Sequence, residues 1–167
     1  VQDFNERTGR SVGIIPEAKH PDFHLAEGMP IEPVLLATLH DLGYTKPGDG
    51  CTIQCFDLDA IERMRTEHAS KLPMVWLVSE TPDHASMARA RRLVDGLGPK
   101  RSLLVVEHAG TTLPSALYMS AREMGFKLYP WTFGRETAAF RAFWLSVPVD
   151  GVFTDFTAAA VDVYRPE

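Results

Sequence analysis

The chain has 167 residues, of which 45% are apolar and 23% charged, and its formal net charge is −5. These values are typical of a globular protein, so we predict a single domain over residues 1–167. The negative charge argues against nucleic acid as the main partner, and no apolar run approaches the ~18 residues of a transmembrane helix.

Strands and helices are predicted to alternate along the whole chain. The first strand covers 12–18, where Pro16 indicates a bulge or an unpaired position, and a long irregular loop follows at 22–33. Because the alternation lacks a hairpin signal, it favours a parallel sheet with right-handed crossovers. The later elements are a helix over 34–42, a strand over 52–56, a helix that Asp57 caps, a strand over 73–78, a helix over 81–97, a strand over 102–106, a helix over 113–124, a strand over 126–133, a helix over 136–145, a strand over 149–154 and a helix over 158–164.

Polar side chains gather where the predicted strands end, which is typical of a (β/α)8 barrel. A full barrel needs about 200–250 residues, more than this chain has. An open doubly wound sheet would instead offer a glycine-rich phosphate loop after its first strand, and the sequence has none. We therefore expect an α/β fold that is the C-terminal part of a barrel whose first strands lie outside this sequence.

Glu17 and Lys19 form the first candidate site. They follow the apolar run Val12 to Ile15, which is predicted to be buried, and the period of two along a strand directs both side chains to the same face. A carboxylate and an amine at the end of a strand suit a metal ion and an anion. The alternative is a solvated surface pair, which contributes less than ~1 kcal/mol.

Cys51 and Cys55 are the two cysteines. On one strand they would lie ~13 Å apart, too far for a mutual disulfide. Since no second Cys/His pair accompanies them, they do not predict a zinc site, and Cys55 is interpreted as a small buried group.

Five segments together resemble a known family: Thr8 to Lys19 with its Pro-Glu-x-Lys, Phe23 to Gly28, Gln54 to Asp57, Pro130 to Phe133, and Asp150 to Phe156. In this order they resemble the glycerophosphodiester phosphodiesterase family, in particular its longer, periplasmic-type branch. The resemblance implies a (β/α)8 barrel, of which this chain would form about strands 4 to 8. It also implies that the barrel cleaves a small-molecule glycerophosphodiester into glycerol 3-phosphate and an alcohol, with a divalent cation, Ca²⁺ or Mg²⁺. It also implies a periplasmic or secreted location, with the cytoplasm as the alternative.

The resemblance implies roles for individual residues as well. Glu17 matches a metal ligand, and Lys19 matches a catalytic residue that binds the phosphate and its developing charge. Trp131 matches the aromatic residue of the glycerol pocket, and Phe56 matches a wall of the site, although both could instead be core residues. Three further candidates are Gln54, Asp155 and His24. Gln54 and Asp155 lie at strand ends, Asp155 could instead be a helix cap, and His24 could instead be a surface residue.

The family's N-terminal motifs are not in this chain. They are a His-Arg-Gly, a Glu-x-Asp pair and a second histidine, which supply the acid, the base and further metal ligands. The histidines of this chain stand in other contexts: His20 is interpreted as near the site only in sequence, and His40, His68 and His84 as solvated. The first residues resemble no signal peptide and lack an initiator Met. We therefore expect a cut or processed chain that is inactive alone, or else a phosphate-ester-binding or partner-pairing fragment, or a phospholipid or sphingomyelin phosphodiesterase.

Overall fold

The structure is a computed structural model that describes residues 1–134, 143 and 145–164. These residues belong to two compact units. Unit 1 comprises Val1–Trp76 and Arg92–Asp95, and unit 2 comprises Leu77–Arg91 and Gly96–Glu167. Among the described residues, no helix is both long enough and apolar enough to cross a membrane. Most of the helix predicted over 136–145 lies outside the described residues.

Unit 1 is built on parallel pairing. Its strand β1 (Ile53–Cys55) pairs in parallel with the start of β2 (Met74–Val78), so that Ile53 faces Met74 and Cys55 faces Trp76. All five residues of β2 are buried, which confirms the prediction of a strand covered on both faces. The helices of the unit are α1 (Gln2–Thr8), α2 (Pro21–Ala26), α3 (Ile31–Asp41) and α4 (Leu58–Thr66).

The strand predicted over 12–18 is reduced to two isolated parallel bridges, Ile14 to Cys51 and Glu17 to Gln54. Both bridges have the same offset of 37 residues, so there is no bulge. Pro16 has no amide hydrogen, and the hydrogen bond that would join the two bridges is therefore missing. The unpaired position that Pro16 indicated explains why the strand is interrupted.

Two predictions for the first part of the chain are wrong. The segment 22–33 is not a long irregular loop, because α2 starts at Pro21 and α3 starts at Ile31. Proline fits the first turn of a helix, where an amide hydrogen has no partner to lose. The run from Val12 to Ile15 is not buried either, since Val12 is 45% exposed and Ile15 is 49% exposed.

Unit 2 contains the end of β2 and a second parallel pair. Its strand β3 (Gly96–Pro99) pairs with β6 (Lys127–Leu128), and two bridges follow, Lys100 to Trp131 and Phe133 to Thr154. The remaining elements are α5 (His84–Ala90), a 3-10 turn (Arg101–Leu103), β4 (Val105–His108), β5 (Thr111–Pro114), α6 (Ala116–Glu123) and α7 (Thr157–Tyr164).

The helix predicted over 81–97 was wrong in its second half. It ends at Ala90, and Gly96–Pro99 forms the buried strand β3. A Cβ on Gly96 would lie 2.7 Å from the ring of Tyr129, so glycine is needed there for packing. The strands predicted over 126–133 and 149–154 are shorter in the structure, because beyond Leu128 only single bridges remain.

An antiparallel hairpin replaces the strand predicted over 102–106. Strands β4 and β5 pair from Val105 with Pro114 to His108 with Thr111. The two turn residues, Ala109 and Gly110, have φ of 48° and 77°. Positive φ at both positions is the geometry of a tight hairpin turn, for which Asn-Gly is the usual sequence. Alanine at the first position hides that signal.

Candidate functional site

An open cleft of about 390 Å³ lies in unit 1 where β1 ends. We call it the carboxyl-end cleft. It brings together three of the predicted site residues, Glu17, Lys19 and Phe56. The other residues that line it are Ala18, His20, Pro21, Asp22 and Asp57.

The backbone of Gln54 fixes the position of Glu17. The amide of Gln54 donates to the carbonyl of Pro16 at 2.9 Å, and its carbonyl accepts from the amide of Ala18 at 2.9 Å. Gln54 therefore holds the main chain in place on both sides of Glu17. Gln54 is not among the described residues that line the cleft, so its observed contribution is these two main-chain hydrogen bonds.

Cys55 joins the two segments that carry the cleft. Its Sγ donates to the carbonyl of Ala18 at 3.2 Å and accepts from the amide of Asp57 at 3.4 Å. Burial raises the pKa of the Cys55 thiol to about 12, so the group is a neutral thiol at neutral pH. Both cysteines are free and buried, as predicted for Cys55.

Phe56 is a wall of the cleft rather than a core residue. Its side chain is 46% exposed, and its carbonyl accepts a hydrogen bond from Nε1 of buried Trp76 at 3.0 Å. Asp57 follows as the N-cap of α4, as predicted, and its carboxylate accepts from the amides of Asp59 and Ala60 at 2.7 and 3.0 Å. The chain therefore leaves β1 in a fixed direction.

His20 was missed by the sequence reasoning. It lines the carboxyl-end cleft, so the interpretation that it is near the site only in sequence was wrong. It has φ of 48° in the left-handed region, which is uncommon for residues other than glycine, and it turns the chain into α2. The signal in the sequence was Pro21, because proline favours the first position of a helix and so indicates that the chain turns at His20.

His24 is not among the described residues that line the cleft. It lies in α2, half-buried, and its ring packs edge-on against the ring of Phe23 with the centroids 5.5 Å apart. The structure therefore gives His24 a packing contact within α2.

The described residues do not complete a metal site. Three carboxylates, those of Glu17, Asp22 and Asp57, line the carboxyl-end cleft, but Asp57 caps α4. In the described part of the chain, no group of three or more His, Cys, Asp or Glu residues could hold a metal ion. A hard divalent cation takes about six or more oxygen ligands, of which Glu17 would supply one.

Trp131 and Asp155 belong to unit 2. The indole of Trp131 is half-buried and its Nε1 donates to the carbonyl of Gly98 at 2.7 Å. Asp155 is exposed, and its amide donates to the carbonyl of Phe133 at 3.3 Å. Since α7 begins at Thr157, Asp155 lies two residues before the helix, one residue too early for a cap. Substrate contacts of Trp131 and Asp155 stay predictions.

The model of the glycerophosphoryl diester phosphodiesterase family matches residues 1–159. This chain belongs to that family. The glycerophosphodiester phosphodiesterase of Haemophilus influenzae is 25% identical over 205 residues, which cover 99% of this chain and 56% of that protein. The protein of the same name from Treponema pallidum is 32% identical over 74 residues, 44% of this chain and 21% of that protein. The chain thus spans about half the length of the Haemophilus relative.

Solved structures of the family share the fold. A glycerophosphodiester phosphodiesterase from Parabacteroides distasonis superposes with a TM-score of 0.60 at 12% identity, over 96% of this chain and 61% of that one. A phosphodiesterase from Oleispira antarctica, solved in complex with the product sn-glycerol-3-phosphate, gives 0.54 at 19% identity, over 81% and 51%. At these identities the likeness concerns the fold, an α/β architecture with parallel strands.

Proposed function

We propose that the protein to which this chain belongs hydrolyses glycerophosphodiesters to glycerol 3-phosphate and an alcohol. The observation that carries this proposal is the convergence of Glu17 and Lys19 on one cleft beside Phe56, in a chain that the family model spans from residue 1 to 159. A carboxylate, an ammonium and an aromatic wall suit a ligand that has both a phosphate and a short carbon chain.

Lys19 is the group of this chain that acts on the phosphate. During hydrolysis the oxygen of water bonds to phosphorus, the bond from phosphorus to the alcohol oxygen breaks, and the alcohol leaves with a proton. Negative charge on the phosphoryl oxygens is stabilised by the Lys19 ammonium. Phe56 packs against the carbon chain, and histidines outside this sequence move the protons, as the family resemblance implies.

A divalent cation, Ca²⁺ or Mg²⁺, is a further part of the proposal. Glu17 would hold it together with oxygen ligands from outside this chain, because the described residues do not complete a site. When bound, the cation supplies positive charge for the phosphoryl oxygens. Glu17→Gln in the longer protein should weaken Ca²⁺ binding in calorimetric titrations. Glu80→Gln, which changes an exposed glutamate of unit 2, is the control and should not.

An open strand edge supports the proposal that this chain is the C-terminal part of a (β/α)8 barrel. The backbone groups of Ile15 and Glu17 alternate with those that bond to the β1 segment, and they have no hydrogen-bond partner among the described residues. Ile15 and Val12 also expose about half of their surface. An unpaired edge with apolar side chains invites another strand, and we propose that the longer protein supplies it.

The test compares the isolated chain with a longer protein that carries the family's N-terminal motifs. Both are assayed on sn-glycero-3-phosphocholine with Ca²⁺ or Mg²⁺, and sphingomyelin serves as the test of the phospholipid alternative. The longer protein should be active and the isolated chain inactive. Lys19→Ala should lower kcat/KM of the longer protein about 10²–10³-fold, whereas Lys127→Ala, at an exposed lysine of unit 2, should not.

Robust turnover by the isolated chain would contradict this assignment of the histidines. In that case His20, which lines the same cleft, becomes the candidate acid or base, and His20→Ala should abolish the activity. The open edge also favours a second candidate function, a fragment that pairs with another chain. Sedimentation of the isolated chain as a stable monomer would exclude pairing between copies.

A periplasmic or secreted location is also proposed, on the branch that the chain resembles. Fractionation of cells that express the longer protein should recover it outside the cytoplasm. Recovery in the cytoplasm would contradict this proposal without affecting the proposed activity.

A further inference from the structure

A second cleft, of about 400 Å³, lies at the other end of the strands of unit 1. Residues 44–46 and 68–72, which line it, precede β1 and β2 respectively, and the two strands are parallel. The cleft therefore opens where these strands begin, whereas the carboxyl-end cleft opens where β1 ends. We call it the amino-end cleft. Tyr44 and Leu72, both buried, contribute to its lining.

The amino-end cleft is lined by groups that bind anions. Four side chains with basic nitrogens face it, those of His40, Lys46, His68 and Lys71, together with the hydroxyl of Ser70. None of the described residues that line it is acidic. In the described part of the chain, neither imidazole, the Lys71 ammonium nor the Ser70 hydroxyl makes a hydrogen bond or an ion pair.

The nearest acid in sequence to Lys46 is already engaged. Asp49 accepts hydrogen bonds at its Oδ2 from the amides of Thr45 and Lys46, at 2.8 and 2.9 Å, and from the Thr45 hydroxyl at 3.1 Å. The bond from the Thr45 amide, followed by that from the Lys46 amide, lowers the pKa of this carboxyl. Asp49 thus orders the turn before β1, and its attraction to the Lys46 ammonium is the smallest of these effects.

A half-buried guanidinium holds the other wall. Arg65 donates from Nη1 to the carbonyls of Ser70 and Leu72 at 2.8 and 2.7 Å, and from Nε to the carbonyl of Leu93 at 2.7 Å. The turn between α4 and β2 also holds Ala69 at φ of 50°, an uncommon conformation for alanine. The segment that carries His68 and Lys71 is therefore preorganised.

We propose that the amino-end cleft binds a small phosphate-bearing anion. Two ammonium groups, two imidazoles and one hydroxyl offer charge and hydrogen-bond donors without a competing carboxylate in the lining, and a compact polyanion satisfies them together. This site is distinct from the carboxyl-end cleft, and it does not depend on the proposed phosphodiesterase activity. The chemistry selects a phosphate group and does not distinguish an inorganic phosphate from a phosphate ester.

The experiment titrates the chain with pyrophosphate in the presence of EDTA, and follows the imidazole C–H resonances by NMR. All titrations use the chain with the substitution Lys19→Ala as their background, because this substitution should weaken phosphate binding in the carboxyl-end cleft. The resonances of His40 and His68 should shift and saturate, whereas those of His84 and His108, in unit 2, should not. Glycerol 3-phosphate in a parallel titration tells whether an ester binds as well as the inorganic ion.

Charge variants give the second readout. The double variant Lys46→Gln, Lys71→Gln should weaken pyrophosphate binding at least tenfold, and Lys127→Gln should leave it unchanged. The proposal is overturned if His40 and His68 do not shift, if sodium chloride of equal ionic strength shifts them equally, or if the double variant binds as tightly as its parent. The NMR titration of the Lys19→Ala background uses no further variant, so it tests the proposal even where the double variant folds poorly.

Discussion

The carboxyl-end cleft and the amino-end cleft of unit 1 sit at opposite ends of the same parallel strands and differ in charge and in support. The carboxyl-end cleft combines acidic and basic side chains, and a neutral thiol and a helix cap order its walls. The amino-end cleft is basic, and a half-buried guanidinium orders one of its walls. In barrel enzymes the strand ends carry the chemistry and the strand starts carry stability. The difference teaches that both ends of a pair of parallel strands can carry a cleft, with a mixed lining at one end and a basic lining at the other.

The largest effect on this comparison is expected for Arg65→Met. Carbonyls of Ser70, Leu72 and Leu93 would lose a charged donor, so the free energy of unfolding should fall by about 3–5 kcal/mol. Pyrophosphate binding at the amino-end cleft should weaken as well. The measurement is urea denaturation followed by circular dichroism. The control is Arg7→Met, since Arg7 pairs with Asp3 on the surface and should contribute less than about 0.5 kcal/mol.

A fall of less than about 1 kcal/mol for Arg65→Met would mean that water replaces the guanidinium without cost. In that case the wall of the amino-end cleft would not depend on Arg65.

Cys55→Ala tests the carboxyl-end cleft and should cost about 1–2 kcal/mol near neutral pH, through a lost hydrogen bond and a small cavity. It should also change the pH dependence. Below about pH 8.5 the thiol is protonated in both states. Between that value and the folded pKa of about 12, the unfolded chain loses the proton first.

The free energy of unfolding therefore falls as the pH rises through this window, by up to about 1.4 kcal/mol per pH unit from Cys55. Urea titrations at pH 8, 9 and 10 should show a smaller slope in Cys55→Ala. Cys51→Ala is the matched comparison. Burial also raises the pKa of the Cys51 thiol, but this variant keeps the contribution of Cys55 to the slope. Equal slopes in the parent and in Cys55→Ala would contradict the buried neutral thiol.

The smallest effect is expected at the helix cap of the carboxyl-end cleft. Asp57→Ala should cost about 1 kcal/mol, and Asp57→Asn should be nearly neutral because asparagine caps as well. Asp83→Ala, which removes the cap of α5 in unit 2, should cost a similar amount. If the longer protein is active, Asp57→Ala should raise its KM more than Asp83→Ala does. Equal kinetics for the two variants would show that the cap does not order the cleft.

The sequence could predict features that depend on neighbouring residues. The buried run of β2, the Asp57 cap and the convergence of Glu17, Lys19 and Phe56 all follow from local patterns and from the family resemblance. It could not predict β3, because Gly96 is selected by the ring of Tyr129 some thirty residues later. Contacts between segments distant in the sequence decide such positions.

Two other features were not predicted, in each case because of a local backbone conformation. The hairpin turn has Ala109 where asparagine is usual, so the sequence did not indicate a hairpin. His20 reaches the carboxyl-end cleft through a left-handed backbone conformation, which histidine adopts more often than most residues but which its residue type alone does not predict. In both places the backbone conformation decides the structure, and the sequence signals that conformation only weakly.

The constant offset of the two bridges has an evolutionary consequence. Glu17 is positioned by its pairing with Gln54, and so is independent of the excursion through α2 and α3 that separates them. Closing a longer excursion is cheap, since each doubling of a flexible loop costs only about 0.6 kcal/mol. The exposed turn between α2 and α3 can therefore gain or lose residues while the carboxylate keeps its place on the strand.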